Sequence, residues 1–244
     1  MKVVVLGATR GIGRAIARAL AERGAELFVL GRDADAVERT REDLALRGAA
    51  NVGSAPCDLL EPAGFEAALA AAEAGLGGLN TVIVTAGIQA DQATLEGDPA
   101  LLERVLVADF VYTVAFCEAA RRRLLARGGG TLCVLSSVAG DRARAPIALY
   151  GAAKAGLTHY LEGLDHGYRR EGLRTICVKP GFVRTGLTDG LPEPPFAAEP
   201  EVVARTVLRA IERGRPVVYA PPIWRLVMTA VRWLPRALMR RLRF

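Results

Sequence analysis

The stretch VVVLGATRGIG (Val3–Gly13) decides the fold of this 244-residue chain. Its apolar run, Val3–Leu6, predicts a buried strand. Glycines at positions 7, 11 and 13 come directly after this strand, and a helix is predicted to begin at Gly11. Gly7 permits a tight turn, Gly11 lets backbone approach an anion, and Gly13 allows close helix–sheet contact. The amino end of a helix favours a phosphate, so the stretch predicts a pyrophosphate-binding turn, although a turn without a ligand has the same local pattern. The residues expected to contact the ligand are Gly7, Thr9, Arg10, Gly11, Ile12 and Gly13.

The alternation of strand and helix continues along the chain. Apolar or β-branched runs predict strands at Val3–Leu6, Glu26–Leu30, Val52–Ala55, Thr81–Thr85, Thr131–Leu135, Thr175–Val178 and Val217–Tyr219. The predicted helices are Gly11–Arg23, Asp35–Arg47, Pro62–Ala74, Pro99–Val107, Phe110–Ala126, Tyr150–Arg170 and Pro200–Arg213. Such alternation forms parallel βαβ units, and strands apolar on both faces need helices on both faces. We predict the α/β class: a single Rossmann doubly wound parallel sheet of about seven strands over 1–220, with a C-terminal amphipathic helical tail over 221–244.

The composition excludes several classes of protein. Hydrophobic residues make up 51% of the chain and charged residues 24%, which is typical of a globular domain and not of disorder. The four cysteines form no C-x-x-C pair and the two histidines lie on one predicted helix, so we expect reduced, packed thiols and no metal site. We also expect no targeting segment ahead of the first strand, no transmembrane helix and a cytoplasmic location.

The net charge of +6 comes from the end of the chain. Residues 216–244 contain six arginines and no acidic residue, and the other 26 basic residues balance the 26 acidic ones. A neutral domain with a basic tail lacks the basic face of a nucleic-acid-binding domain. We therefore expect no nucleic-acid partner.

A tyrosine and a lysine four residues apart are the leading catalytic candidates. Tyr150 and Lys154 lie on one predicted helix, where this spacing places both side chains on the same face. A nearby ammonium lowers the pKa of a tyrosine, which can then exchange a proton with a carbonyl or alcohol oxygen. The same spacing also occurs by chance in surface pairs. Ser137, in the SSVAG sequence that ends the fifth predicted strand, precedes Tyr150 by thirteen residues.

Together these motifs resemble the short-chain dehydrogenase/reductase family. The G-x-x-x-G-x-G turn, the Ser-Ser-x-Ala-Gly strand end, the Y-x-x-x-K pair and a later Pro-Gly follow the family's order over residues 2–185. The resemblance implies an NAD(P)-dependent oxidoreductase acting on CH–OH and C=O groups. Ser137 is then expected to hold the substrate oxygen, Tyr150 to exchange the proton, and Lys154 to bond the nicotinamide ribose. Further implied cofactor contacts are Asp58, Leu59, Ala86, Gly87, Pro180, Gly181, Val183 and Thr185.

Two arginines favour NADP(H) as the cofactor. The 2′ position of the adenosine ribose is expected near the end of the second strand, where Arg32 precedes Asp33. Arg10 adds a second cation in the glycine turn, where relatives that prefer NADP often carry one. Asp33 could still bond a ribose hydroxyl, and either arginine could be a solvated surface charge, which leaves NAD(H) open.

Two positions depart from the family pattern. Thr85 replaces the asparagine of the family's Asn-Ala-Gly motif, and Asp109 stands where a catalytic asparagine is common. A carboxylate at Asp109 could hold a water molecule in a proton path or perturb Lys154 electrostatically, so Asp109 is a further catalytic candidate. The two changes also leave a non-catalytic dinucleotide-binding protein as an alternative. Asp58 has an alternative role too, as a helix-entry residue before Pro62.

The tail predicts an amphipathic helix with arginines on one side. At 100° per residue, five arginines fall within about 80° of one another: Arg225, Arg232, Arg236, Arg240 and Arg243. The opposite side carries Trp224, Val227, Val231, Leu234, Leu238 and Leu242. Such a helix suits peripheral contact with the inner face of an anionic membrane, or docking on this domain or a partner subunit. Pro235 should kink the helix, and the preceding irregular loop, Arg184–Ala198, is expected to be a substrate lid.

Within the family, the segments around Val138, Tyr150, Pro180 and Tyr219 and the basic tail resemble decaprenylphosphoryl-2-keto-erythro-pentose reductases. This resemblance implies a lipid-linked keto sugar as substrate, and that group's use of NADH argues against the NADP(H) interpretation. A soluble reductase of 3-oxoacyl thioesters is the alternative. Family members usually pair through two long helices, so a homodimer or homotetramer is expected.

Overall fold

The computed structural model of the chain describes residues 1–190 and 193–241. Within these residues, seven strands form one sheet in which every neighbouring pair is parallel. The strands are β1 (Lys2–Leu6), β2 (Glu26–Gly31), β3 (Asn51–Pro56), β4 (Thr81–Val84), β5 (Gly130–Leu135), β6 (Leu173–Pro180) and β7 (Val217–Ala220). Their order across the sheet is β3-β2-β1-β4-β5-β6-β7. The predicted parallel α/β sheet is confirmed.

Helices connect the strands and continue into the tail. Those in the described part of the chain are α1 (Gly11–Ala21), α2 (Ala34–Leu46), α3 (Phe65–Leu76), α4 (Gln92–Gly97), α5 (Pro99–Leu106), α6 (Thr113–Ala126), α7 (Ala148–Tyr168), α8 (Pro200–Arg213), α9 (Ile223–Trp233) and α10 (Arg236–Met239). A 3₁₀ turn at Pro62–Gly64 precedes α3, so the predicted helix there begins late. A π-helical turn at Val107–Tyr112 joins α5 to α6, so the predicted α-helical start at Phe110 is wrong.

Helices cover both faces of the sheet. Val3 and Val5 of β1 pack into one core with α1, α2 and α8, whereas Val4 and Leu6 pack into the other with α3, α6 and α7. Successive side chains of a strand point to opposite faces, so β1 supplies both cores. The four cysteines are buried and free, as expected for packed thiols.

The strand order reverses between β1 and β4, which are neighbours in the sheet. Because all strands are parallel, their carboxyl ends lie along one edge. Ligands of doubly wound sheets bind in the crevice at such a reversal. The turn after β1 and the loops after β4, β5 and β6 therefore border the place where a site is expected.

The first helix of the tail docks on the sheet domain. Trp224 and Met228 of α9 are 8% and 1% exposed and pack with Val138. Helix α9 ends before Pro235 and α10 follows it, so the chain breaks where proline was expected to kink it. Arg243 and Leu242 of the predicted amphipathic pattern lie outside the described residues. Among the described helices, none has the length and apolar character needed to cross a membrane.

Candidate active site

Lys154 and Asp109 form a buried ion pair beside the reversal in strand order. Lys154 lies in α7 and Asp109 in the π-helical turn, and Lys154 Nζ is 3.3 Å from Asp109 Oδ2. The other carboxylate oxygen of Asp109 accepts a hydrogen bond from the backbone N–H of Ile88 at 2.7 Å. The two side chains are only 5% and 1% exposed. Since buried charges need partners, Asp109 holds the ammonium of Lys154 in place.

Tyr150 lies one helical turn before Lys154 in α7, and Lys154 Nζ is 5.5 Å from the centroid of its ring. Ser137 follows β5, and its hydroxyl oxygen accepts from the backbone N–H of Ala139 at 3.1 Å, which leaves the hydroxyl proton for another acceptor. The neighbouring Ser136 is buried, and its hydroxyl donates to the carbonyl of Lys154 at 3.0 Å. Ser136 thus connects the end of β5 to α7, whereas the hydroxyl of Ser137 can donate a hydrogen bond to a ligand.

Burial decides the protonation of Tyr150. Desolvation raises the pKa of Tyr150, Lys154 and the Ser137 hydroxyl lower it, and Asp109 raises it again, so that the net direction is upward. Lys154 thus lowers this pKa as expected, but burial and the Asp109 carboxylate outweigh the ammonium. Burial lowers the pKa of Lys154, but Asp109 and Tyr150 together raise it by more than burial lowers it. The net direction is upward, so the lysine keeps its proton. A protonated tyrosine is the form that donates a proton.

The turn after β1 has no room for side chains at its glycines. Gly7 has a φ of 92° and Gly11 a φ of 53°, in the left-handed region that glycine adopts without strain. A Cβ atom on Gly13 would clash with the carbonyl of Gly7 and the hydroxyl of Thr85. Among the described residues, no side chain caps α1 at Arg10, so the first N–H groups of the helix are open to an anion. Thr9 and Ile12 lie in the same turn.

The two arginines expected at the adenosine end are exposed. Arg10 precedes α1 and Arg32 directly follows β2, and neither forms an ion pair with another residue in 1–190 or 193–241. Asp33 is engaged, because its carboxylate caps α2 by accepting from the backbone N–H of Ala36 at 3.0 Å. The end of β2 thus offers a cation more readily than an acid.

The loop after β3 holds Asp58 and Leu59. The carboxylate of Asp58 accepts from the backbone N–H of Leu60 at 2.9 Å. This bond stabilises a local turn. It does not cap the 3₁₀ turn at Pro62–Gly64, which follows Glu61 without a side-chain cap, so the helix-entry role considered for Asp58 is not observed. Leu59 is buried against the core below this loop.

The loop after β4 is tied to the glycine turn. The hydroxyl of Thr85 donates to the carbonyl of Leu6 at 3.0 Å and lies 3.1 Å from the carbonyl oxygen of Gly7. A side chain on Gly7 would clash with the backbone of Ala86. A Cβ atom on Gly87 would lie 3.0 Å from Asp109, so the loop also closes against the buried ion pair. Thr85 therefore has a structural role that an asparagine there would fill differently.

The segment after β6 approaches the glycine turn. A Cβ atom on Gly11 would lie 3.3 Å from the methyl group of Thr185. Val183 pairs with Ala198 in an isolated parallel bridge, which joins the two ends of the predicted lid. Gly181, after Pro180, lies under the indole of Trp224, since a Cβ atom there would clash with the ring. Helix α9 thus covers the segment expected beside the nicotinamide.

One cavity of about 780 Å³ is bordered by Ile12 of the glycine turn and by the segments after β4, β5 and β6, whereas Arg10, Arg32, Asp58 and Leu59 do not line it. Its wall contains Ser137, Tyr150 and Lys154, and the lid loop adds Leu187, Thr188, Glu193, Pro194, Pro195 and Phe196. Pro192 of the lid lies outside the described residues. Several residues of the wall were not predicted as site residues, and two groups of them matter most for the substrate. Arg144 reaches the wall from the segment before α7, and α9 supplies Trp224, Val227, Met228 and Val231. The apolar period of the tail signals the α9 residues, whereas nothing in the local sequence signals Arg144.

Comparison with known proteins identifies the family of this chain. Residues 1–195 match the family model described as short chain dehydrogenase. An uncharacterised oxidoreductase of Streptomyces coelicolor is 40% identical over 248 residues, which cover 98% of this chain and 95% of that protein. The chain belongs to the short-chain dehydrogenase/reductase family. Its membership confirms the resemblance found in the motifs.

Other members of the short-chain dehydrogenase/reductase family agree in fold and class. Carbonyl reductase family member 4 of Xenopus tropicalis is 28% identical over 219 residues, which cover 85% of this chain and 89% of that protein. A crystal structure of a short-chain type dehydrogenase/reductase from Mycobacterium marinum matches with a TM-score of 0.81 at 25% identity, over 91% of this chain and 95% of that chain. The protein is thus an NAD(P)-dependent oxidoreductase acting on CH–OH and C=O groups. This class speaks against the non-catalytic alternative.

The described residues fit such a cofactor. The open N–H groups of α1 suit a pyrophosphate, and the glycines let it approach the backbone. The cavity beside Tyr150 and Lys154 is also lined by Ile12 of the glycine turn and by Thr185, so it extends toward the expected pyrophosphate site.

Proposed function

We propose that this short-chain dehydrogenase/reductase reduces a carbonyl compound with Ser137, Tyr150 and Lys154 as its catalytic residues. The observation that carries the proposal is that all three line one cavity beside the glycine turn. Ser137 donates a hydrogen bond to the substrate oxygen, and Tyr150 transfers its phenolic proton to that oxygen. Lys154, held 3.3 Å from Asp109, stabilises the phenolate that results. Asp109 is a positioning residue in this scheme.

When bound, a nicotinamide dinucleotide supplies the hydride that adds to the carbonyl carbon. The exposed Arg10 and Arg32, together with the engagement of Asp33 as a helix cap, support NADP(H) over NAD(H). We propose that its contacts are Gly7, Thr9, Arg10, Gly11, Ile12, Gly13, Arg32, Asp58, Leu59, Ala86, Gly87, Tyr150, Lys154, Pro180, Gly181, Val183 and Thr185.

The test of this function is Tyr150→Phe, assayed as NADPH-dependent reduction of a panel of small ketones and aldehydes. Loss of the proton donor should lower kcat by about 100-fold or more. NADPH affinity and thermal stability should stay near wild type, because the ring is kept. Tyr160→Phe is the matched control, since Tyr160 lies in the same helix and bonds Glu118 instead of facing the cavity. Wild-type turnover by Tyr150→Phe would contradict the proposal.

A narrower candidate is the reduction of a lipid-linked keto sugar at a membrane surface. One face of α9 lines the cavity, and the opposite side of the helix leaves Leu226 and Trp233 70% and 84% exposed. The arginines at positions 225, 232, 236 and 240 are exposed as well. This arrangement favours a substrate whose apolar chain leaves the cavity along α9 toward an anionic surface. A soluble 3-oxoacyl-thioester reductase also takes an apolar chain, and vesicle binding separates the two.

A further inference from the structure

Arg144 is a cation in the cavity wall that has no counter-ion in the described part of the chain. It lies six residues before Tyr150 and lines the same cavity. Its side chain is half-buried, and its Nε atom is buried with no hydrogen-bond partner among the described residues. Burial lowers the pKa of Arg144. The Nε atom of the guanidinium has thus lost water without gaining a partner among the described residues.

The other charged groups of the cavity wall are already paired. Lys154 lies 3.3 Å from Asp109, and Glu193 lies 2.5 Å from Arg184, which also bonds Glu199. Within residues 1–190 and 193–241, no acidic side chain lies at ion-pair distance from Arg144. The wall therefore keeps one uncompensated positive charge. A partly buried charge without a partner is costly, and an anionic ligand removes that cost.

We propose that Arg144 binds an anionic oxygen group of the substrate, a carboxylate or a phosphate, and so makes the enzyme prefer anionic carbonyl compounds to neutral ones. This inference rests on the proposed reductase function and names its substrate class. The planar guanidinium presents a fork of N–H donors that matches two oxygens of such a group. Arg144 positions the substrate and takes no part in the proton transfer assigned to Tyr150.

The other residues of the cavity wall indicate the chemical character of the rest of the substrate. Near the tail the wall is apolar, with Ile147, Phe196, Val227, Met228 and Val231. Trp224 adds one polar atom, because its Nε1 is buried without a hydrogen-bond partner in the described part of the chain. The substrate class is thus a carbonyl compound with an apolar body and an anionic group.

Three ketones test the proposal: cyclohexanone, 4-oxocyclohexanecarboxylate and 4-oxocyclohexyl phosphate. Their affinities for the enzyme with NADP⁺ bound are measured by calorimetry, and their reduction is measured with NADPH. The wild-type enzyme should bind at least one anionic ketone tighter than cyclohexanone by on the order of tenfold or more, because hydrogen bonds to charged groups are strong. The two anions distinguish a carboxylate site from a phosphate site.

Arg144→Gln should remove this preference by weakening the anionic ketones while cyclohexanone stays within about twofold, since only the anion contact is lost. Arg144→Lys should recover part of it, because the charge returns without the fork. Arg170→Gln, an exposed arginine after α7 that makes the same charge change, is the control. NADPH affinity and thermal unfolding should match wild type in all three variants.

Two results would overturn the anion site. One is a wild-type enzyme that binds neutral and anionic ketones equally. The other is an Arg144→Gln variant that keeps the preference or weakens all three ketones alike. An anion preference in binding, without Tyr150-dependent reduction of any ketone, would instead contradict the proposed reductase function and leave the anion site supported.

Discussion

At the scale of single residues, the proposed proton transfer depends on the pairing of Asp109 with Lys154. Burial raises the pKa of Asp109, and Lys154 and the N–H of Ile88 lower it in part. The carboxylate keeps the ammonium in position but opposes its effect on Tyr150, whose pKa Asp109 raises. A position that departs from the family pattern thus has an electrostatic consequence at the proton donor.

Asp109→Asn should move the pH dependence of alcohol oxidation to lower pH. In the proposed mechanism, oxidation needs the Tyr150 phenolate, so kcat/KM should rise with pH through the pKa of Tyr150. Removing the carboxylate removes one of the causes that raise this pKa. Asp165→Asn, at an ion-paired position farther along α7, should leave the profile in place. A profile for Asp109→Asn that stays put or moves to higher pH would show that Asp109 does not act on Tyr150 electrostatically.

Sequence spacing brings Tyr150 and Lys154 together because helix geometry alone fixes their relation. It does not give the direction of the tyrosine pKa, which depends on burial by distant loops. Arg144 is harder still to predict from the sequence. It belongs to no motif or periodic pattern, and it reaches the cavity wall only through the path of its loop. Residues that act through tertiary packing leave no local signal.

At the scale of elements, strand positions follow the sequence closely because strands covered on both faces are short apolar runs. Helix ends are less predictable. The six residues of α4 carry too little periodicity to predict a helix, although Asp91 caps them by accepting from Thr94 N–H at 2.9 Å. The π-helical turn that carries Asp109 has no composition signal, and such turns are frequent at functional sites.

Helix α9 has one docked face and one exposed face. Its sequence pattern was compatible with either docking or membrane contact. Trp224 and Met228 dock on the domain, whereas Leu226 and Trp233 are exposed beside arginines. Docking of one face therefore leaves a second apolar face available for an anionic membrane surface.

We expect the exposed face of α9 to bind anionic vesicles, which a flotation assay measures. Wild-type protein should float with vesicles containing anionic lipid and not with neutral ones, and added salt should weaken the binding because it is partly electrostatic. Leu226→Asp should reduce flotation by placing a charge in the apolar face. Leu46→Asp is the matched control, since Leu46 is 90% exposed at the end of α2. If wild-type protein never floats, or Leu226→Asp floats equally well, the membrane role of α9 is wrong.

At the scale of the whole molecule, the sheet reversal gathers parts that lie far apart in sequence. The glycine turn after β1, Ser137 after β5, Tyr150 and Lys154 in α7 and the segment after β6 border one cavity. Parallel strands place all their carboxyl ends on one edge, so a dinucleotide can span from Arg32 after β2 to the cavity. The motif order predicts this arrangement and the irregular loop predicts the lid, whereas the contact of α9 with the cavity follows only from the structure.

The most direct test of the central claim is a fluorescence titration of purified protein with NADPH and with NADH. We expect tighter binding of NADPH than of NADH. Arg32→Ala should weaken NADPH by on the order of tenfold or more and leave NADH nearly unchanged, because only NADPH carries the 2′-phosphate. Arg39→Ala, which removes an exposed arginine of α2 away from the strand end, should change neither. Tighter binding of NADH would contradict the cofactor assignment, and binding of neither nucleotide would contradict the reductase itself.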